Sequence, residues 1–164
     1  MGESLMEKSA VLEGMADHPA LKALLAWKPE ALVDAKFDRG ELTLTIAADQ
    51  IRAAAATVQA AGYNAFEDLT AVDWFPAEPR FQLSYHIVSH RFKERIRLRV
   101  MVGGDAPAVE SITSVWPAAN FYEREVFDLF GINFDEHPNL KRIMMPDDWQ
   151  GHPLRKDYPV EGYR

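Results

Sequence analysis

The chain has 164 residues, of which 48% are hydrophobic and 26% charged, and its formal net charge is −7. This composition is that of one compact domain able to bury a sizeable core, and it excludes the disordered and fibrous classes. The absence of cysteine excludes disulfides, thiolate nucleophiles and iron–sulfur clusters on cysteine ligands, and the negative charge argues against a nucleic-acid partner.

No segment of the sequence predicts membrane insertion. The longest stretch without a charged side chain runs from Ala53 to Phe66, 14 residues, whereas a bilayer span needs about 20 apolar residues. Glu3 and Glu7 precede any apolar run, which is the wrong order for a secretory signal. We therefore expect a cytoplasmic protein with no direct membrane insertion.

The first part of the chain predicts a helix followed by a β-hairpin. Residues 1–16 are treated as an N-terminal extension that could hold a further helix, after which Asp17 can cap a helix that ends at Trp27. Residues 33–37 and 42–46 alternate between apolar and polar side chains on either side of a short turn. This pattern predicts a hairpin with one buried face.

The middle of the chain predicts one more helix and three strands. Asp49 begins an alanine-rich segment with helical spacing, and Gly62 is placed to end it. Strands are predicted over residues 66–74, 81–87 and 94–102, where apolar side chains alternate with polar ones or form short runs.

A last helix completes the predicted domain. Asn120 begins it, Glu123 stands where a capping-box carboxylate belongs, and Gly131 ends it. Together the elements predict a single two-layer α+β domain over residues 17–134. Its sheet is mixed and mainly antiparallel, with helices on one face.

Residues 135–164 predict an extended tail. Pro138, Pro146, Pro153 and Pro159 recur every 6 to 8 residues and leave no room for a long helix. The apolar residues between them make free disorder unfavourable. Such a segment needs a surface to lie on, which is either its own domain or another chain.

Four charged residues cluster on the last predicted helix: Glu123, Arg124, Glu125 and Asp128. Paired carboxylates could serve acid–base catalysis, but Arg124 and Asp128 can also pair across one helical turn. Because the helix is apolar over most of its circumference, we favour an internal or interfacial ion-pair network over a catalytic site.

A second charged set lies on the predicted sheet. Arg95, Arg97 and Arg99 alternate on the polar face of one strand, and His86 and His90 occupy one face of its neighbour. The histidines could suggest a metal site, but a metal there would meet cations and would lack a carboxylate ligand. We therefore predict a basic docking face for a protein partner.

The remaining candidates carry no chemistry of their own. His137 and His152 each precede a proline, where hydrogen bonds to backbone carbonyls are expected rather than metal binding. The sequence has neither a glycine-rich phosphate loop nor a serine in a nucleophile-elbow context. No catalytic, cofactor-binding or metal-binding residue is therefore assigned.

Two runs of sequence closely resemble the C-subunit family of respiratory complex I, the proton-pumping NADH:quinone oxidoreductase. They are EREVFDLFGINFDEHPNLKRIM, which begins at Glu123, and GHPLRKDYP over residues 151–159; DLTAVDW over residues 68–74 is a weaker match. The signature residues taken as an interface are Glu123, Arg124, Glu125, Asp128, Leu129, Phe130, Gly131, His137, Pro138, Lys141 and Arg142. Those of a partner-binding tail are Trp149, Gly151, His152, Pro153, Leu154, Arg155, Lys156, Asp157, Tyr158 and Pro159.

The resemblance implies a peripheral-arm subunit that takes part in electron transfer from NADH to quinone only within a complex. NADH, FMN, the iron–sulfur clusters and the quinone would be handled by its partners, which are the iron–sulfur subunits and the large subunit that shapes the quinone site. The chain would sit peripherally on the cytoplasmic side of the cell inner membrane. Its tail would extend over the large subunit and gain its order there.

The resemblance also leaves alternatives. Glu136 stands where the family often has glycine, and residues 146–150 differ from the commoner aromatic-glycine linker. Similar subunits serve in membrane-bound hydrogenases and complex I-like dehydrogenases, so an equivalent role there is one alternative. A freestanding α+β enzyme is another, and it would have to use Glu123, Glu125 and His137.

Overall fold

The computed structural model describes residues 2–162, with side chains from residue 8 onward. The helices in this part of the chain are α1 (Gly2–Gly14), α2 (Pro19–Trp27), α3 (Ile51–Ala60) and α4 (Ala119–Phe130). The strands are β1 (Leu32–Asp38), β2 (Glu41–Ile46), β3 (Ala65–Asp73), β4 (Phe81–Ser89), β5 (Glu94–Val102), β6 (Ala108–Glu110) and β7 (Asn133–Asp135). None of these helices has the length and apolar character needed to cross a membrane.

Five strands form one sheet in the order β1-β2-β5-β4-β3. Neighbouring strands are antiparallel except β2 and β5, which run parallel with Leu42 beside Ile96 and Thr45 beside Arg99. The predicted α+β class with a mixed, mainly antiparallel sheet is therefore confirmed. The short strands β6 and β7 pair in parallel apart from this sheet.

One face of the five-stranded sheet carries the hydrophobic core. Alternating positions of its two central strands, among them Tyr85 and Leu98, are fully buried. The helices contribute Leu21, Leu24, Ile51, Val58 and Val126 to the same cluster. Each fully buried aliphatic side chain contributes about 1.5–3 kcal/mol relative to an exposed one, so this face holds the two layers together.

Two helices begin differently from the sequence prediction. α2 begins at Pro19 with His18 as its N-cap residue, so Asp17 lies one position too early to cap it. Proline suits the first helical position, since the amide there needs no intrahelical partner. α4 begins at Ala119 rather than at Asn120, and no side chain caps either helix.

α1 lies along the outer edge of β1. The Lys8 ammonium donates hydrogen bonds to the carbonyl oxygens of Leu32 at 2.6 Å and Val33 at 3.0 Å, and Val11 joins the hydrophobic core. An uncovered edge strand can pair with another chain, so these contacts protect the edge of the sheet.

The tail crosses the C-terminal end of α4 at Gly131. This residue ends the helix in the left-handed conformation, with φ of 70°. A Cβ atom built there would lie 2.4 Å from the His152 ring and 2.7 Å from the Arg155 guanidinium. Glycine is therefore required for its backbone angle and also for the close approach of the tail.

We expect Gly131→Ala to lower the free energy of unfolding by about 2–4 kcal/mol, because it adds a clash with the tail to the left-handed backbone cost. Gly104→Ala is the matched control, since Gly104 has φ of 84° and open space around its Cβ position. It should cost only about 1–2 kcal/mol. Urea unfolding of the isolated chain measures both values, and equal losses would show that the tail does not rest on Gly131.

Candidate functional site

The carboxylate of Asp128 on α4 is fully enclosed and holds the first part of the tail. It accepts hydrogen bonds from the backbone amides of residues 143–145 at 2.7–2.9 Å and from the Arg142 guanidinium at 2.5 Å. Burial by itself raises the pKa of Asp128, but the Met145 amide and Arg142 outweigh it and hold that pKa below its ordinary value. Asp128 is therefore a charged anchor for the turn that follows Arg142.

Arg142, not Arg124, is the partner of this carboxylate. The predicted pairing of Arg124 with Asp128 is wrong, because the two side chains reach different parts of the tail. Arg124 donates to two backbone carbonyls at the start of the tail, each at 3.2 Å. Arg142 also donates to the carbonyls of Trp149 at 2.9 Å and Gly151 at 3.0 Å, which fixes the next stretch of chain.

Asp73, at the end of β3, is a second anchor. This buried carboxylate accepts hydrogen bonds from the Arg80 guanidinium at 2.7 and 2.9 Å and from the Lys156 amide at 2.8 Å. Arg80 also donates to Asp157 at 2.6 and 3.0 Å. Burial raises the pKa of Asp73 while Arg80 and the Lys156 amide lower it, and the balance lowers that pKa to about 2.

Between the two anchors the tail covers the last turn of α4. The Leu154 amide donates to the Leu129 carbonyl at 3.0 Å, and the Arg155 guanidinium donates to the Phe130 carbonyl at 2.5 Å. Residues 142–157 therefore lie on their own domain. This arrangement corrects the expectation that the tail gains its order only from a partner chain.

Asp73 and Arg80 are absent from the predicted site residues, although the sequence contains a signal for them. Leu69, Ala71 and Asp73 alternate along β3 on the same side, and all three are buried. A carboxylate at a core-facing position must find a cation or amide partner. The alternation alone does not reveal that this partner includes the tail.

The two histidines that precede prolines bind backbone carbonyls, as predicted. Nδ1 of His152 donates to the Asp128 carbonyl at 2.8 Å, and Nε2 of His137 donates to the Asn120 carbonyl at 3.2 Å. The other ring nitrogen of His137 accepts from the Asn139 amide at 3.0 Å. Burial is the main cause that lowers the pKa of both rings, so both are neutral at pH 7.

Glu123 is buried beneath α4 and binds the loop after β6. Its carboxylate accepts hydrogen bonds from the Ser111 hydroxyl at 2.6 Å and the Ile112 amide at 2.7 Å. Burial raises the pKa of Glu123 to about 7, although these two hydrogen bonds oppose the shift. The predicted capping-box role is wrong, because the helix begins one residue earlier and the carboxylate binds this loop instead.

The three groups that a freestanding enzyme would need do not form one accessible site. The side chains of Glu123 and His137 lie 3.9 Å apart and are fully enclosed, whereas Glu125 is exposed. Among residues 8–162, whose side chains are described, no group of three or more histidine, aspartate or glutamate side chains could hold a metal ion.

Glu136 explains one departure from the family pattern. It adopts φ of 62°, a conformation that glycine reaches without strain. Here Arg52 on α3 binds both Glu136 and Glu110, so an ion pair holds the turn in place. The glycine of the family pattern is replaced by a charged contact to a neighbouring helix.

Arg95 and Arg97 lie on the polar face of the sheet, as predicted, and both are paired within the chain. Glu41 on β2 accepts from Arg95 at 2.7 Å and also binds Arg97. Arg95 further contacts Glu67 at 3.3 Å, and Arg97 donates to Nε2 of His86 at 2.9 Å. Much of the predicted basic face is thus neutralised by its own neighbours.

Large apolar side chains remain exposed along the tail and on two neighbouring segments. We call this set the tail surface; it comprises Trp74, Phe75, Phe121, Ile143, Met144, Trp149, Leu154 and Val160. Pro138, Lys141, Lys156 and Pro159 are also exposed, whereas Pro153 and Tyr158 are half-buried. Such a concentration of exposed apolar groups marks a surface for another macromolecule.

One protein family matches most of the chain. The model of the family described as "Respiratory-chain NADH dehydrogenase, 30 Kd subunit" aligns with residues 44–164. This range begins in β2 and includes α4, both anchors and the tail surface.

Curated proteins similar to the chain share one name, that of the C subunit of NADH-quinone oxidoreductase. The protein from Roseiflexus sp. (strain RS-1) is 43% identical over 143 residues, covering 85% of this chain and 82% of that protein. The protein from Trichlorobacter lovleyi is 44% identical over 151 residues, covering 90% of this chain and 93% of that protein.

Two solved structures share the fold. A trypsin-resistant fragment of Nqo5 matches 74% of this chain and 99% of its own length with a TM-score of 0.65 and 30% identity. A chain of the membrane-bound sulfane sulfur reductase, an archaeal respiratory membrane complex, matches 88% of this chain and 86% of its own length. Its TM-score is 0.75 and its identity is 26%.

Arg142→Ala should lower the free energy of unfolding by about 3 kcal/mol, because it leaves the buried Asp128 charge without its cation. Arg124→Ala is the control from the same cluster. It removes hydrogen bonds to carbonyls only and should cost about 1 kcal/mol. Urea unfolding at pH 7 compares the two variants, and an equal or larger loss for Arg124→Ala would contradict the assignment of Arg142 as the anchor.

The raised pKa of Glu123 predicts a distinct pH dependence of stability. Because the native state binds this proton more tightly than the unfolded chain does, the contribution of Glu123 becomes less favourable as the pH rises from 4.5 towards 7. The unfolding free energy of the native chain should therefore fall, relative to Glu123→Gln, by roughly 3 kcal/mol between about pH 4 and pH 8.

Comparison with Glu123→Gln at each pH isolates this group from the histidines, whose lowered pKa values act in the opposite direction. Glu125→Gln removes an exposed carboxylate from the same helix and should leave the pH profile unchanged. A Glu123→Gln profile parallel to that of the native chain would show that Glu123 stays ionised throughout.

Proposed function

Because the chain belongs to the family of the 30 kDa subunit of respiratory-chain NADH dehydrogenase, known in its bacterial relatives as the C subunit, we propose that it is a non-catalytic structural subunit of an NADH:quinone oxidoreductase. Its role is to support the large subunit that shapes the quinone site. It takes part in electron transfer from NADH to quinone, and in proton pumping, only as part of the assembled complex.

The distribution of charged and apolar groups carries this proposal. The charged signature residues Asp128 and Arg142 bind the chain's own tail, and Glu123 is enclosed. The apolar groups of the tail surface face outward instead. Charges that hold a segment in place, combined with exposed apolar side chains, suit assembly better than chemistry.

The tail surface is the proposed contact with the large subunit. Its anchors include Trp149 and Leu154, and Lys156 and Lys141 lie exposed around them. Interfaces of this kind have an apolar centre that is surrounded by polar groups. The iron–sulfur subunits are proposed as further neighbours, and NADH, FMN, the clusters and the quinone are proposed to bind the partners rather than this chain.

The proposed position is peripheral, on the cytoplasmic side of the cell inner membrane. The names of the similar proteins support association with a respiratory complex, since one of the solved structures belongs to a respiratory membrane complex. Contact with that complex through the tail surface would place the chain at the membrane without inserting it.

An equivalent subunit of a related membrane-bound complex is a second candidate. The fold match to a chain of the archaeal sulfane sulfur reductase supports it, with a TM-score of 0.75. The first candidate is favoured because the similar bacterial C subunits reach 44% identity, against 26% for the archaeal chain.

A pair of double variants tests the role of the tail surface. Met144→Ser with Leu154→Ser removes two apolar groups that are 61% and 51% exposed. The control, Val33→Ser with Phe37→Ser, removes two groups that are 57% and 49% exposed on β1, away from the tail. Each tagged chain is expressed in its own host and recovered from membranes, and the iron that copurifies per chain is measured.

The tail double variant should fold normally yet bring down several-fold less iron, because it loses buried apolar area of about 1 kcal/mol or more per side chain at the interface. The β1 control should recover the amount seen with the native chain. NADH:quinone turnover per assembled complex should be unchanged in both. Equal recovery from the two variants would remove the tail surface as the interface, and normal assembly with lost turnover would contradict a non-catalytic role.

A further inference from the structure

The polar face of the sheet, opposite the helices, contains a groove that the proposed contact with the large subunit does not use. Its volume is about 580 Å³, and it lies between the β1–β2 turn and β5. Five cationic and two acidic side chains line it, which gives it an excess of positive charge on a chain whose net charge is −7. The cationic members are Lys36, Arg39, Arg95, Arg97 and Arg99.

One carboxylate of the chain already shows how this array binds an anion. Glu41 on β2 lies next to Arg95 on the neighbouring parallel strand and bridges the guanidinium groups of Arg95 and Arg97. Planar guanidinium groups at alternate positions of a strand present forked donors that match carboxylate oxygens. The arginine array of β5 therefore binds a carboxylate between two successive members.

The next step along β5 has the same cations without the carboxylate. β2 places Thr43 beside Arg97 and Thr45 beside Arg99, and β4 places Ser84 on the other side of Arg99. These neighbours are hydroxyls, which leave the positive charge of Arg99 uncompensated at hydrogen-bond distance. Nε of Arg99 is buried and has no hydrogen-bond partner within the described part of the chain.

The surroundings of Arg99 are unfavourable for a cation. Burial and the neighbouring Arg97 charge lower its pKa, and Asp34 opposes the shift only through its field. A buried donor without a partner costs about 1–3 kcal/mol. A charged donor in this position is stabilised when an anion binds it.

We propose that this groove binds an acidic segment of a neighbouring protein chain, with a carboxylate bridging Arg97 and Arg99 as Glu41 bridges Arg95 and Arg97. Alternate side chains of a strand are separated by about 6.6 Å, which is also the spacing of alternate side chains in an extended peptide. An extended acidic segment can thus follow β5 in register with its arginines. This segment comes from a second surface of the complex, distinct from the tail surface.

The identity of the neighbour as another subunit rests on the proposed function, whereas the binding chemistry does not. Peptide binding by the full isolated chain tests the groove without a complex. Failure of the groove and failure of the subunit role are thus separate results.

The probe is a hexaglutamate peptide titrated into the full chain by calorimetry at low salt. The native chain should bind it, and binding should weaken as salt is raised because the attraction is screened. Arg99→Gln should weaken binding at least about fivefold, since it removes charge-assisted hydrogen bonds. Lys22→Gln removes the same charge from α2 and should change the affinity by less than about twofold.

Arg99→Gln alters a half-buried residue, so its fold is checked by thermal unfolding. Lys36→Gln, an exposed change on the groove rim, provides a second variant that should also weaken binding more than Lys22→Gln does. Two further probes are inorganic phosphate and vesicles that contain phosphatidylglycerol.

Equal weakening by Arg99→Gln and Lys22→Gln would overturn the proposal, because the peptide would then respond to net charge alone. Binding to anionic vesicles without binding to the peptide would also overturn it and would assign the groove to lipid headgroups. Displacement of the peptide by phosphate at equal concentration would show a simple anion site instead of a peptide groove.

Discussion

The burial of the Asp128 carboxylate is the constraint on which the last part of the structure depends. A carboxylate enclosed beneath a helix without partners would cost several kcal/mol. Three successive amides and the Arg142 guanidinium provide those partners. The chain after β7 must therefore turn at residues 142–145, and Arg142 then fixes the carbonyls of Trp149 and Gly151. The route of the tail follows from the need to compensate one buried charge.

The same arrangement occurs twice, which explains why the tail has a defined position. Asp73 and Asp128 each combine an arginine with backbone amides of the tail. Buried ion pairs contribute little net stability compared with apolar packing, but an unpaired buried charge is costly. Alternative positions of the tail would leave two carboxylates unpaired. This excludes them even though the prolines and exposed apolar groups of the tail set no single register.

Local patterns in the sequence were sufficient for the elements and insufficient for the charges. β3 was predicted over residues 66–74 and is observed at Ala65–Asp73, because alternation is a property of neighbouring residues. The pairing of Arg124 with Asp128 satisfied the helical spacing rule and was wrong, since the true partner is 14 residues away. The family resemblance identified the signature residues, but only the three-dimensional arrangement shows that they bind one another. The tail as a partner-binding segment and the basic docking face remain predictions.

The contact between Asp73 and the Lys156 amide joins positions 83 residues apart. Loop closure over such a distance carries a large entropic cost before any contact rewards it, so β3 and the C-terminal end of α4 must be in place first. On the ribosome, where the chain emerges from its N-terminus, this contact closes only after almost the whole chain has been made. A nascent or truncated chain that ends before Lys156 cannot display the tail surface in its final geometry. A partner that recognises this surface therefore distinguishes completed chains from incomplete ones, and the order of synthesis becomes a check on what enters the complex.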